Sequence, residues 1–186
     1  MGTAENPMLR CGLALAGICN WLKGEILPEE IGNGILNGMD VLSLDLSNTN
    51  LMVLSACQTG LGDTQSGEGI QGMRRAFELA GVHTLICTLW KVDDLASAIL
   101  MTAFYKNLLE NRMSKTSALS AAKEYIRSIT PEQLELDGWE AYVDDLLARG
   151  FEKEALRLQD VLDNETDATP FAHPYYWAGF VLQGEA

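Results

Sequence analysis

The sequence predicts an α/β fold, and three features lead to that prediction. Two apolar runs of strand length, Leu51–Ala56 and Thr84–Trp90, are each bounded by turn residues. Between them, apolar residues recur at helical spacing over residues 70–80, and Gly81 follows as a helix stop. A strand, a helix and a second strand in this order predict a parallel pair joined by a right-handed crossover.

The remaining elements are predicted from capping residues and apolar spacing. We interpret residues 13–18 as a strand or a buried loop, and residues 25–50 as a polar connection with short turns. Helices are predicted over 93–111 and 114–129, because a capping residue begins each segment and apolar residues recur along it. The apolar run that ends the segment 173–184 predicts a closing strand.

Residues 131–168 differ in character from the rest of the chain. Charged residues alternate there with leucine and valine at helical spacing, after a capped helix start at Thr130–Pro131. We predict two amphipathic helices, Leu134–Ala148 and Phe151–Asp163, which form a helical insertion within a single domain spanning 1–186.

Composition excludes several classes of function. Thirteen lysines and arginines against 26 acidic residues give a formal net charge of −13, which argues against nucleic acid as a partner. This charge suits a basic substrate, although a solvated surface also produces such an excess of acid. Apolar runs all fall short of the roughly 18 residues of a membrane span, so we expect no membrane partner.

The four cysteines are not spaced as a disulfide framework or a metal site. They contain no CxxC pair, so we expect no metal, no cofactor and a reducing, cytoplasmic setting. The glycine-rich loop over 60–72 lacks the lysine of a phosphate-binding loop, and its acidic residues would repel phosphate. We interpret it as a loop that flanks a substrate groove.

Cys57 is the candidate nucleophile. It ends the first apolar strand and precedes Gly60 and Gly62, which places it at the carboxyl edge of a parallel sheet, where ligands collect. A thiolate there could attack a substrate, and nearby backbone N–H groups could hold an oxyanion. From the pattern alone, a small buried residue at a strand end fits equally well.

A general base for Cys57 is missing from the segments that precede it. The first 56 residues contain no histidine. His83 precedes the second strand and so lies at the opposite edge of the sheet, while His173 belongs to the closing segment. We interpret both histidines as capping or packing residues.

Asp93 and Asp94 follow the second strand and leave the sheet at the same edge as Cys57, with Trp90 next to them. One interpretation is helix N-capping, since aspartate accepts N–H bonds at a helix start. The other is a specificity pocket in which a carboxylate binds a basic side chain of the substrate.

Several segments, taken in order along the chain, resemble the CHAT family, whose members are caspase-like domains often fused to tetratricopeptide repeats. The segments that carry this resemblance are Asn6–Gly17, Leu54–Gly62, Gly67–Gly69, Arg75–Gly81, Leu89–Asp94 and His173–Ala178. The resemblance implies a caspase-like three-layer sandwich, of which this chain supplies the carboxyl-terminal portion of the sheet, with flanking helices and the insertion.

The function implied by the resemblance is cysteine endopeptidase activity through a His–Cys dyad with Cys57 as nucleophile. The family histidine stands in a His-Gly pair after an earlier strand, about 50 residues before the cysteine in caspases. That pair does not occur in this sequence, so we expect the chain to be inactive by itself. The segment Leu89–Asp94 is also similar to the separase segment whose acid binds a basic residue before the cut, which implies Asp94 as pocket acid and Asp93 as cap.

The expected partners follow from this reading. They are a protein or peptide substrate with a basic residue before the cut, and the upstream caspase-like half and tetratricopeptide regions of the parent protein. An incomplete sheet leaves an edge that favours dimers. The alternative function is a non-catalytic interaction scaffold in which residues 131–168 dock a partner. A redox or acyl-transfer thiol is a third reading, disfavoured because no resolving cysteine lies close to Cys57.

Overall fold

A mixed α/β fold is formed by the part of the chain that the computed structural model describes. The described residues are 8, 12–15, 18–19, 23–24, 34–54, 68–163 and 168–185. They divide into two compact units, one formed by residues up to Lys91 together with Val181–Glu185, the other by Val92–Phe180. The predicted α/β class is therefore confirmed.

The main sheet in the described part of the chain has three strands. Strand β3 (Met52–Leu54) pairs in parallel with β4 (Thr84–Thr88), whose five residues are all buried. Strand β5 (Phe180–Gly184) lies on the other side of β4. The N–H of Glu185, just after β5, donates to the carbonyl of His83, just before β4, at 2.9 Å, so these two strands run in opposite directions. The predicted parallel pair and closing strand are both confirmed.

Two short strands and a one-turn helix lie within the amino-terminal half of the first unit. Strand β1 (Gly12–Ala14) pairs antiparallel with β2 (Ile35–Asn37), and α1 (Gly38–Val41) follows directly. Asn37 and Asp40 form a capping box at the start of α1. The interpretation of residues 25–50 as a polar connection was wrong for residues 35–41, which form β2 and α1. These elements were missed because three or four residues are too few to show an apolar periodicity.

Helix α2 (Glu68–Leu79) packs the core of the first unit. Its buried face, which the sequence predicted from the apolar spacing, presents Met73 and Phe77 to the cluster that includes Val41 of α1 and Val82. Helix α2 and the sheet are thereby joined through one continuous apolar cluster.

The second unit is helical over most of its length. Helices α3 (Asp94–Leu109) and α4 (Lys115–Ser128) pack against each other, with caps at Asp93 and Ser114 as predicted. Phe104 of α3 is fully buried. No helix in the described part of the chain is long and apolar enough to cross a membrane.

The predicted insertion contains three helices where the sequence predicted two. They are α5 (Pro131–Leu136), α6 (Trp139–Ala148) and α7 (Glu152–Asp163). The single helix expected over Leu134–Ala148 is interrupted at Gly138, which has a φ of 85° in the left-handed region. The three helices pack together and bury Leu134 and Leu158 completely.

A tyrosine joins helix α4 to the end of helix α5. The hydroxyl of Tyr125 donates to the carboxylate of Asp137, which caps the end of α5. Burial raises the pKa of Tyr125 above its usual 10, and the bond to Asp137 raises it further. The hydroxyl therefore stays protonated in the folded chain at pH values where it ionises in the unfolded chain.

Replacing Tyr125 with phenylalanine is expected to lower the free energy of unfolding by about 1 kcal/mol at neutral pH, because a half-buried hydrogen bond is lost. Since the folded pKa is the higher one, this contribution is complete below pH 10 and falls as the pH rises above it. Urea unfolding at pH 7 and above pH 10 measures both effects. Tyr142→Phe is the control, since its hydroxyl bonds to none of the described residues. Equal pH dependence in Tyr125→Phe and the unmutated chain would contradict the assignment.

Candidate active site

The strand that leads to Cys57 is described, whereas Cys57 itself lies outside the described residues, as do the glycines at 60, 62 and 67. Strand β3 ends at Leu54, which is the register partner of Cys87 in β4. Leu54 therefore lies at the carboxyl edge of the parallel pair, three residues before Cys57 in the sequence. That edge is the one at which catalytic groups collect in α/β folds.

Asp93 is the N-cap of helix α3, as predicted. Its Oδ1 accepts the N–H of Ala96 at 2.9 Å, and its backbone carbonyl accepts the hydroxyl of Ser97 at 2.6 Å. Its Oδ2 forms an ion pair with the guanidinium of Arg157 in α7. Both carboxylate oxygens of Asp93 are therefore engaged, and only 10% of the side chain is exposed.

Asp94 differs from its neighbour in every one of these respects. It is the first residue of α3, its side chain is exposed, and it makes no hydrogen bond or ion pair with any residue that the structure describes. The partial positive charge of the helix start stabilises its carboxylate. Asp94 is therefore free to receive a positively charged group.

Trp90 is half-buried in the bend that follows β4. Lys91, which follows it, is exposed. A role for Trp90 in a substrate pocket stays a prediction.

The two histidines hold local structure, as the sequence indicated. His83 lies just before β4, with its Nε2 2.9 Å from the carbonyl oxygen of Ser47 and its Nδ1 3.4 Å from the carboxylate of Glu185. His173 caps a short 3-10 helix, Pro174–Tyr176, where its Nδ1 accepts the N–H of Tyr175 at 3.2 Å. His83 thus lies at the amino end of β4, away from the residues that follow the strand.

A polar groove on helix α2 is a feature that sequence reasoning missed. It has a volume of about 450 Å³ and is lined by Gln71, Arg74, Arg75, Glu78, Leu79 and Gln183. Gln183 of β5 accepts from Arg74, at 2.9 Å from its Nε, and donates to Glu78 at 3.2 Å. The adjacent arginines were the one sequence signal for it, and nothing in the sequence indicated that β5 would meet them.

Cys87 can be set aside as a nucleophile. It is buried in β4, and burial raises the pKa of its thiol, while the Arg74 guanidinium opposes this effect in part. The thiol form is thereby favoured over the reactive thiolate. Within the described ranges, no group of three or more histidine, cysteine or acidic residues could hold a metal ion.

Comparison with known proteins identifies the family. The family described as the CHAT domain matches residues 2–185. Tetratricopeptide repeat protein 28 of Mus musculus and that of Homo sapiens are each 27% identical over 150 residues, which cover 81% of this chain and 4% of the relative. The chain therefore corresponds to a small fraction of the length of these relatives. No solved structure matches it. With almost its whole length matched, the chain belongs to the CHAT domain family.

Proposed function

We propose that this chain carries the nucleophile and the substrate-selecting acid of a caspase-like cysteine endopeptidase. The observation that supports this best is the parallel pairing of β3 and β4, because Cys57 follows the carboxyl end of β3. The match to the CHAT domain supports the caspase-like character of that edge. In this proposal Cys57 is the nucleophile, and the carboxylate of Asp94 selects the substrate.

In the proposed reaction, the imidazole takes the proton of the Cys57 thiol and becomes an imidazolium, and the resulting thiolate attacks the carbonyl carbon of the scissile peptide bond. The carbonyl electrons move to oxygen, where backbone N–H groups stabilise the negative charge. The tetrahedral species then expels the amine, which takes a proton from an imidazolium and leaves a thioester on Cys57. Water, deprotonated by the same imidazole, hydrolyses the thioester and regenerates the thiol.

The imidazole of this reaction is proposed to come from residues outside 1–186. His83 and His173 are engaged by Ser47, Glu185 and Tyr175, which argues against either histidine as the base. Each would have to leave a local structure that it holds. The proposal therefore places the dyad across this chain and an upstream caspase-like segment of the parent protein.

Asp94 is proposed to receive a basic side chain that precedes the cut. Its neighbour Asp93 has both carboxylate oxygens engaged, whereas Asp94 is exposed and makes no polar contact within the described ranges. A guanidinium bound to a free carboxylate forms a charge-assisted, directional contact. The formal net charge of −13 favours the approach of basic peptides generally.

Further partners belong to the same proposal. Tetratricopeptide regions of a parent protein would accompany the domain, as the names of the relatives suggest. Two copies could pair through an open edge of the sheet. A reducing cytoplasm would keep the Cys57 thiol available for catalysis.

The test of the proposed function is covalent labelling followed by intact mass measurement. The reagent is a peptidyl acyloxymethyl ketone with arginine before the electrophile, applied to the chain alone and to the chain joined to its upstream segment. We expect one adduct per chain, on Cys57, only when the upstream segment is present, and none in Cys57→Ala. Labelling at Cys19 or Cys87 instead, or no labelling of either protein, would overturn the proposal.

Replacing Asp94 with asparagine is expected to reduce the preference for arginine over norleucine before the cut by at least about tenfold. The reason is that a charge-assisted hydrogen bond is worth about 1.5–3 kcal/mol. The measurement is kcat/KM for a matched pair of peptides. Glu132→Gln, which removes an exposed acid from the first turn of α5, is the control and should leave the ratio unchanged. An unchanged ratio in Asp94→Asn would leave this residue without a role in selectivity.

A second candidate function is a non-catalytic interaction scaffold. The observation that favours it is the apolar surface of the insertion. Large apolar side chains exposed on or beside helices α5 to α7 are Leu136, Tyr142, Leu147, Phe151 and Leu156. Exposed groups of this kind often mark protein interaction sites. Labelling of Cys57 in the experiment above would favour the peptidase, and its absence would favour the scaffold.

A further inference from the structure

The ion pair between Arg157 and Asp93 connects two distant parts of the sequence. It joins the middle of helix α7 in the insertion to the start of helix α3, 64 residues earlier. By contrast, Arg127 with Glu124 and Arg149 with Asp145 are pairs one turn apart on a single helix. Local pairs of that kind contribute little. The Arg157 pair therefore requires a separate explanation.

The surroundings of Asp93 show why a cation is needed at this position. Its side chain is only 10% exposed, and the cap bond to Ala96 uses one of its two oxygens. The second oxygen would remain charged and largely removed from water if no cation reached it. Arg157, whose side chain is 45% exposed, supplies that cation from the insertion.

The contact also has the chemistry of substrate recognition. A guanidinium bound to a carboxylate is the contact that the proposed peptidase would make with an arginine before the cut. Arg157 makes it with Asp93, the direct neighbour of the free acid Asp94. A tethered group competes with a free ligand at an effective concentration in the millimolar range. A substrate guanidinium must therefore either bind at Asp94 alone or displace Arg157.

We propose that Arg157 is a specificity-determining residue, which occupies Asp93 and so limits the affinity of the start of α3 for basic side chains to what Asp94 alone provides. This inference rests on the proposed function, in which Asp94 receives the basic side chain of the substrate. Removing the Arg157 charge creates a binding site with two carboxylates, those of Asp93 and Asp94. Such a site binds arginine peptides more tightly than the site of the unmutated protein does.

The test is peptide binding to the Cys57→Ala protein, in which no substrate is consumed. The probes are a fluorescent tetrapeptide amide that ends in arginine and its norleucine counterpart. We expect Arg157→Gln to bind the arginine peptide at least about fivefold more tightly and the norleucine peptide unchanged. Arg157→Lys, which keeps the charge, should stay within about twofold of the unmutated protein, since a lysine also pairs with a carboxylate.

Two further variants show whether the gain comes through Asp93. In Asp93→Asn combined with Arg157→Gln, the gain should disappear, because the second carboxylate is gone. Arg149→Gln breaks an exposed pair elsewhere in the insertion and is the matched control, with no expected change. Unchanged or weaker binding of the arginine peptide by folded Arg157→Gln would overturn the inference, as would a gain that persists in the double variant.

A measurement on the protein with Arg157 intact does not depend on the folding of these variants. The side-chain Nε–H signal of Arg157 is followed by NMR while the arginine peptide is added to saturation. We expect the signal to stay in place with either peptide, because the arginine of the peptide binds at Asp94 while Arg157 keeps its ion pair with Asp93. A signal that moves toward that of a free arginine as the arginine peptide reaches saturation would overturn the inference. If Cys57 is not labelled but Arg157→Gln binds the arginine peptide more tightly, the proposed peptidase activity is wrong and the inference about Arg157 stands. If Cys57 is labelled but Arg157→Gln does not bind the arginine peptide more tightly, the peptidase activity stands and the inference about Arg157 is wrong.

Discussion

Replacing Cys57 with alanine is expected to abolish peptide cleavage by the protein that contains this chain, with a loss of at least about 10³-fold in kcat. The thiolate forms the covalent bond in the proposed reaction, and a methyl group cannot replace it. The measurement is the release of a fluorophore from an arginyl peptide, with circular dichroism to show that the variant is folded. Substrate binding should persist, since Asp94 is unchanged.

The other cysteines provide the controls for this prediction. Cys19→Ala removes an exposed thiol and should leave cleavage intact. Cys87→Ala removes a buried one and should lower stability while the remaining folded protein stays active. Cleavage retained in Cys57→Ala, or lost in Cys19→Ala, would assign the nucleophile elsewhere.

The largest effect on stability is expected for Gly184→Ala, at the end of β5. Gly184 has a φ of +107°, which an L-residue adopts only with strain, and an added Cβ would overlap with the carbonyl oxygen of His83. The overlap would push β5 from β4, where Glu185 N–H donates to His83 at 2.9 Å. Strain and overpacking together predict a loss of about 4 kcal/mol in the free energy of unfolding.

Gly150→Ala separates the two causes. Gly150 also has a positive φ, +81°, but an added Cβ would meet nothing within 4 Å. We expect it to lose only about 1 kcal/mol, the cost of the backbone strain. Urea unfolding of both variants gives the comparison. Similar losses in the two would show that the close approach of β5 and His83 adds nothing.

The elements that the sequence predicted correctly are those whose signal lies within one segment. Helix α3 has its capping residue directly before it, and β3 and β4 are apolar runs with turns on each side. The parallel pairing of β3 and β4 was predictable because a helix lies between them in the sequence, and parallel strands need a crossover connection of this length, usually a helix. The cap at Asp93 was predictable for the same reason, since a cap depends only on the next three residues.

The features that could not be predicted depend on a single turn or on distant partners. Helix α1 is one turn long, and its capping box between Asn37 and Asp40 is a common pattern in loops. The break at Gly138 was hidden, because an isolated glycine is tolerated in many amphipathic helices.

The contact of Arg157 with Asp93 was beyond sequence reasoning for a related reason. Charged residues on an amphipathic helix are usually solvated, and nothing in α7 distinguishes Arg157 from its charged neighbours. Only the packing of the helices decides which charge meets a carboxylate 64 residues away. The sequence therefore predicted Asp93 as the cap and Asp94 as the pocket acid, and the structure added the ion pair with Arg157 that engages the second carboxylate oxygen of Asp93.

The return of β5 to β4 has a consequence for synthesis on the ribosome. The sheet of the first unit is completed by Val181–Glu185, and the whole second unit is translated between β4 and those residues. At about 5–20 residues per second, β4 waits roughly 5–20 s for its second neighbour. During that time the nascent chain presents an open backbone edge, which chaperones or other chains can occupy. Termination of translation anywhere before Phe180 would make that state permanent.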